Sequence, residues 1–213
     1  YANHMLRADW VQARPADDKI EKALLDQVLL LLPRADAVVL SDYAKGVLTP
    51  ALIRHVIDAA RASGKPVVVG GPDPTSSPHV YEKADFRVLG EAESVIDEFI
   101  AAWESGARAG VFTAPKFQAD VTSTPVPRFD LLKMKNYVLG TIQFSRGCPF
   151  QCEFCDIIVT FGRRPRLKTS EQILQELEAL RAQRMEIAFV VDDNLIGNKG
   201  AIKKTLRDVA AWQ

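Results

Sequence analysis

Short runs of β-branched and aromatic residues alternate with amphipathic stretches along this chain, which restricts it to sheets whose strands are joined by helices. Residues 36–41 are an apolar run. Thr49-Pro50 then supplies a cap with proline at the first helical position, and the helical pattern continues to about Ser63-Gly64. Val67, Val68 and Val69 read as the next strand. The pattern returns at residues 86–89 (strand) and 91–104, a helix with Val95, Ile96, Phe99, Ile100 and Trp103 on one face. It returns again at residues 137–144 (strand), at a helix capped by Thr169 that carries Ile173, Leu174, Leu177 and Leu180, and at residues 186–191 (strand). Strand–helix–strand connections imply parallel pairing. Residues 106–136, with Pro115, Pro125 and Pro127 among turn residues, read as an irregular linker.

All three cysteines fall within eight residues, Cys148-Pro149-Phe150-Gln151-Cys152-Glu153-Phe154-Cys155. At that spacing three thiolates can converge on one side of a tight loop, and an odd number cannot pair into disulfides. A zinc site would normally recruit a fourth Cys or a His, yet His4, His55 and His79 lie far upstream. Three ligands fit better with an iron–sulfur cluster whose fourth iron is open to a substrate or cofactor. A non-catalytic α/β module carrying zinc stays open beside that reading.

The Cys-x3-Cys-x2-Cys spacing, with Phe154 just before the last cysteine, resembles the signature of radical S-adenosylmethionine enzymes. The resemblance implies that Cys148, Cys152 and Cys155 ligate a 4Fe-4S cluster. S-adenosylmethionine would occupy the open iron, a reductant such as flavodoxin or ferredoxin would supply electrons, and the substrate would be a small molecule. The implied fold class is α/β, a parallel Rossmann-like βα layer followed by the start of a radical partial (βα) barrel. Asp192, Asp193 and Asn194 end the strand at 186–191, where such folds place ligand chemistry. They are expected to accept hydrogen bonds from the ammonium group of S-adenosylmethionine; the competing reading makes them a helix cap. The family often carries a Gly-Gly-Glu type motif there, which this chain lacks. Arg146 is expected to tune the cluster or hold a carboxylate.

Val69-Gly70-Gly71-Pro72-Asp73-Pro74-Thr75, Val88-Leu89-Gly90-Glu91, Phe144-Ser145-Arg146-Gly147-Cys148 and Val191-Asp192-Asp193-Asn194-Leu195-Ile196-Gly197-Asn198 are similar to landmarks of the radical enzymes with a cobalamin-binding domain. That resemblance covers about residues 69–213. It implies a backbone approach to cobalamin at Gly70 and Gly71, although the Asp-x-His-x-x-Gly loop of such domains is missing. Residues 1 to about 69 resemble ribokinase-type heptose-phosphate kinases instead, through Ala35-Asp36-Ala37-Val38-Val39-Leu40-Ser41-Asp42-Tyr43-Ala44-Lys45-Gly46-Val47-Leu48 and Met5-Leu6-Arg7-Ala8-Asp9. The Gly-x-Gly-Asp motif that carries the kinase's catalytic aspartate is absent, so phosphoryl transfer by this chain lacks its proton acceptor. The chain therefore reads as a chimera. Residues 1–69 are kinase-like, 70–105 a remnant of a cobalamin-type domain, 106–136 a linker and 137–213 the first part of a radical barrel. The first two segments are expected to share one sheet.

Charge and composition limit the remaining options. Twenty-seven acidic and 27 basic residues cancel, which argues against a general nucleic-acid or membrane-surface role. The run Val28-Leu29-Leu30-Leu31-Leu32 is far shorter than the ~20 apolar residues of a membrane span and is expected in the core. Cysteines confined to one loop suit a reducing cytoplasm. His79 is expected in an exposed loop. The basic run Arg163, Arg164, Arg166 and Lys168 is either a solvated loop or a contact for an anionic substrate. Only about 65 residues follow Cys148, about two βα units, so the chain reads as a fragment with little turnover of its own.

Overall fold

A computed structural model describes residues 14–213, which divide into two compact units after Ala114. The Met5–Asp9 stretch that entered the kinase resemblance, and His4, lie outside the described residues.

In the first unit, Asp17 accepts the Ile20 N–H at 2.8 Å and starts α1 (Asp18–Leu31). The chain then forms β1 (Val38–Ser41), α2 (Pro50–Ala62), β2 (Val67–Gly70), the short α3 (Pro72–Ser76), β3 (Phe86–Leu89), α4 (Ile96–Glu104) and β4 (Gly110–Thr113). The four strands make one parallel sheet in chain order, and β2 spans the expected kinase-to-cobalamin joint inside it. Alternation sends Val67 and Val69 to one face, against Leu52, Ile53, Val56, Ile57 and Ala60 of α2 and Leu24, Leu25 and Val28 of α1. Val68 faces the other way, with Phe86, Val88 and Phe112, under Phe99 and Trp103 of α4. Phe99 meets Phe86 and Phe112 edge-to-face, both at 5.5 Å.

Two expectations change here. Among the leucines expected in the core, Leu32 is buried and Val28 packs against the core, while Leu29, Leu30 and Leu31 are exposed. Consecutive residues step 100° around a helix, so four leucines in a row cannot share one face. The expected linker is also partly structured: Gly110–Thr113 is the fourth strand, held by Phe112 in the aromatic cluster.

In the second unit, β5 (Gly140–Ile142) leads into β6 (Ser145–Arg146), α5 (Ile157–Thr160), β7 (Arg166–Leu167), α6 (Ser170–Ala182), β8 (Ala188–Val190) and α7 (Lys199–Trp212). β5 pairs in parallel with β8, and α6 is the crossover between them. Ile142, Phe144, Ile173, Leu180 and Ile202 form the core, with Phe129 from the segment before β5. The strand expected over 137–144 is shorter because Tyr137 and Val138 face solvent. Ser145 and Arg146, just past the expected strand, pair antiparallel with β7. The parallel layer followed by a βαβ unit is the α/β class expected. Among the described residues, no helix is long and apolar enough to cross a membrane.

Candidate functional site

The cysteine loop leaves the carboxyl end of β5 through β6, and the carboxyl end of β8 holds it there. Asp192 accepts the Phe144 N–H at 2.7 Å and the Ser145 hydroxyl at 2.5 Å. Asp193 accepts the Gly147 N–H at 2.7 Å. Asn194 directs its amide nitrogen at the Cys148 sulfur, 3.6 Å away. Three consecutive side chains of one strand end thus grip residues 144 to 148. Charge-assisted bonds to backbone N–H groups are among the stronger ways to fix a loop.

Gly147 has to be glycine. Its φ is +96°, and a Cβ there would stand 3.1 Å from the carbonyl oxygens of Phe161, Gly162 and Arg164. The Cys148 N–H donates to Gly162 O, so the segment between α5 and β7 closes on the loop's first cysteine. Arg163 donates to Pro149 O at 3.3 Å, and Arg166 to the carbonyls of Ala119 and Phe161. Within the basic run, these two arginines therefore brace loops. Lys168 is instead buried against Glu176 of α6 at 2.5 Å. Arg146 reaches Gln143 Oε1 and lies over the Phe161 ring, 5.7 Å from its centroid.

The remaining candidates separate. Cys148 is buried, Cys155 half-buried and Cys152 exposed, and the Cys155 N–H turns back to Cys152 O. Among the described residues, no three of His, Cys, Asp and Glu stand close enough together to hold a metal ion. The structure fixes Cys148 on the strand ends but does not gather Cys152 and Cys155 around it, in contrast to the convergence expected from spacing. The reason is local: residues 149–156 have no strand or helix to brace them, and Phe150 and Phe154 are exposed. The donor set still suits an iron–sulfur cluster, because three thiols on one loop are soft ligands. The helix-cap reading of Asp192 to Asn194 is not what the structure shows. Asn198 caps α7, accepting the Ala201 N–H at 3.1 Å.

Gly70 and Gly71 belong to the first unit. A Cβ on Gly70 would meet Val88 O at 3.1 Å. Gly71, at φ +106°, packs against the backbone of Asp42, with its Cβ position 3.0 Å from Asp42 O. Both glycines thus also make close contacts within the chain's own packing. Sequence reasoning missed the neighbours of these sites: Ser145, Gln143, the Lys168–Glu176 pair, and Tyr81 between Asp42 and Asp73. Of these, Ser145 stood in a landmark string and Lys168 in the basic run, whose two readings, a solvated loop and an anion contact, both left out Glu176. His79 is exposed, as expected.

No protein-family model matches the chain. It is 48% identical over 160 residues to the uncharacterized methyltransferase sll1242 of Synechocystis sp., covering 74% of this chain and 30% of that protein. It is 40% identical over 153 residues to the hopanoid C-2 methylase of Rhodopseudomonas palustris, covering 70% of this chain and 29% of the relative. A separate similarity, 59% over 76 residues, links 36% of the chain to 15% of the bifunctional protein HldE of Bradyrhizobium diazoefficiens. The chain thus spans about a third or less of the length of these relatives. Among solved structures, the radical S-adenosylmethionine methyltransferase TsrM of Kitasatospora setae, with tryptophan substrate and a SAM analogue bound, superimposes with a TM-score of 0.66 at 20% identity. The match covers 91% of this chain and 43% of TsrM. The same enzyme with cobalamin and a [4Fe-4S] cluster bound gives a TM-score of 0.63 at 18% identity. The chain shares its fold with that enzyme, and the first two relatives above are methyltransferases by name.

Proposed function

We propose that this chain is the cluster-binding part of a radical S-adenosylmethionine enzyme, and that the reaction it serves is methyl transfer to a small molecule. The observation that carries the reading is the joining of the Cys-x3-Cys-x2-Cys loop to two adjacent parallel strand ends by Asp192, Asp193 and Asn194. The likeness to methyltransferases supports the reaction class.

Cys148, Cys152 and Cys155 would hold the cluster, with the unbraced loop drawing the last two thiols toward the fixed first one. When bound, the cluster supplies the electron for reductive cleavage of S-adenosylmethionine, which chelates the iron left without a cysteine. The chain's own residues set the stage for that chemistry. Asp192 locks β6 onto β8, Asp193 fixes the turn before Cys148, and Arg146 over Phe161 keeps a cation beside the loop. The acidic pair remains the proposed neighbour of the S-adenosylmethionine ammonium group. An external one-electron donor, flavodoxin or ferredoxin, completes the scheme. Cobalamin stays a candidate cofactor: TsrM, which shares the fold, binds it, and Gly70 and Gly71 stand at the carboxyl end of β2.

The similarity to the bifunctional protein HldE supports a kinase-like origin for the front of the chain, and a junction of two ancestries within one sheet. Phosphoryl transfer is not proposed, because the sequence has no Gly-x-Gly-Asp motif.

Anaerobic reconstitution with iron and sulfide tests the ligand set. The brown charge-transfer absorbance should appear in the wild-type chain and be lost, or fall several-fold, in each of Cys148→Ala, Cys152→Ala and Cys155→Ala. A colourless chain with stoichiometric zinc would support the non-catalytic module instead.

A further inference from the structure

Asn194, expected beside S-adenosylmethionine, has each end of its side-chain amide engaged. Its Oδ1 accepts the Ile196 N–H at 3.1 Å, and its backbone carbonyl accepts the Gly197 N–H at 3.0 Å. The first bond settles the orientation of the amide: an N–H partner requires the oxygen on that side, so the NH2 group must face Cys148 Sγ. The turn over residues 194–197 therefore aims one amide donor at one sulfur. Cys148 is in turn fixed from three sides. Asp193 holds the Gly147 N–H, Gly162 O takes the Cys148 N–H, and the residue itself is buried. Cys152 is exposed and Cys155 half-buried, with its N–H on Cys152 O.

We propose that Asn194 is a positioning residue for the Cys148 sulfur, presetting it as the first cluster ligand and raising the cluster's reduction potential through an N–H···S hydrogen bond. The proposal rests on the cluster reading above and deepens it. A donor aimed at a ligand sulfur stabilises the more electron-rich, reduced state, so its presence moves the potential upward and its loss moves it downward. The asymmetry also sets an order of assembly. Cys148 is in place before metal arrives, and the loop brings Cys152 and Cys155 to it.

The test uses the reconstituted full chain and reads the midpoint potential by anaerobic redox titration followed by electron paramagnetic resonance. Asn194→Ser keeps an oxygen for the Ile196 N–H but cannot reach the sulfur. Asn194→Asp keeps the turn and replaces the donor with a charged acceptor. Both should retain a cluster with a potential shifted negative, further in N194D. Thr169→Ala loosens the start of α6 without touching the sulfur and should leave the potential in place. An N194S potential equal to wild type overturns the role of Asn194 while the cluster reading stands. Failure of the wild-type chain to take up iron removes the cluster reading, and the tuning role with it.

Should the variants lose iron altogether, the metal-free chain decides. The Asn194 side-chain amide resonance should move in Cys148→Ala and stay in Cys152→Ala. A resonance indifferent to Cys148→Ala overturns the proposal.

Discussion

The Tyr81 hydroxyl lies 2.6 Å from Asp42 Oδ2 and 2.7 Å from Asp73 Oδ2, yet has one proton to donate. Burial, and then the two carboxylates, push the phenol above its ordinary value of 10.0. The folded chain thus keeps this proton at a pH where the unfolded chain gives it up. The unfolded state binds fewer protons above about pH 10, so Tyr81 contributes stability that is full below that pH and declines as pH rises. Urea unfolding of wild type and Tyr81→Phe should differ by about 1–3 kcal/mol at pH 7, because Oδ2 of the buried Asp42 loses its donor while Oδ1 keeps the Ala44 N–H. The gap should narrow between pH 10 and 11; a constant gap would remove the phenol from the explanation. Nothing in the sequence around Tyr81 announces this role, since Asp42 lies 39 residues away. Gly71, by contrast, stood out in the sequence as a place of close backbone approach, and its positive φ against the Asp42 backbone shows one such approach.

At the scale of single elements, α6 shows how burial overrides a sequence pattern. Lys168 sits in a run of cations that reads as a solvated loop or a contact for an anionic substrate, but its side chain is 9% exposed and its partner Glu176 on α6 only 2%. One Glu176 oxygen, Oε2, is buried without a hydrogen-bond partner, so the pair depends on the Lys168 contact. Lys168→Met should destabilise the second unit by about 3–5 kcal/mol, the usual result of stranding a buried charge, and adding Glu176→Leu should recover most of it. Thermal unfolding of both variants checks this; a single substitution without effect would contradict it. Helix α6 itself was legible, from the Thr169/Gln172 capping box to its Ile173, Leu177 and Leu180 stripe. Strand lengths were less so. Residues 137 and 138 have strand-forming side chains, but the partner β8 starts only at Ala188 and pairs it with Gly140, leaving them nothing to pair with. Likewise β4 is four residues with one buried aromatic, too brief a pattern to stand out from the prolines that follow.

Across the whole molecule, each unit puts its polar residues at the carboxyl ends of parallel strands. Asp42 and Gly71 follow β1 and β2 in the first unit, and the cysteine loop and Asp192 to Asn194 follow β5 and β8 in the second. The spacing of the cysteines was plain in the sequence, and so was the acidic strand end. Their connection was not, because it runs between residues 45 or more positions apart through bonds to backbone N–H groups and to a sulfur. If the loop closes three thiols on a cluster with one open iron, electron paramagnetic resonance of the reduced, reconstituted chain should respond to S-adenosylmethionine. A 4Fe-4S signal whose g-values shift when S-adenosylmethionine is added is the expected result. A spectrum unchanged by the addition, or a chain that holds no cluster, would contradict it.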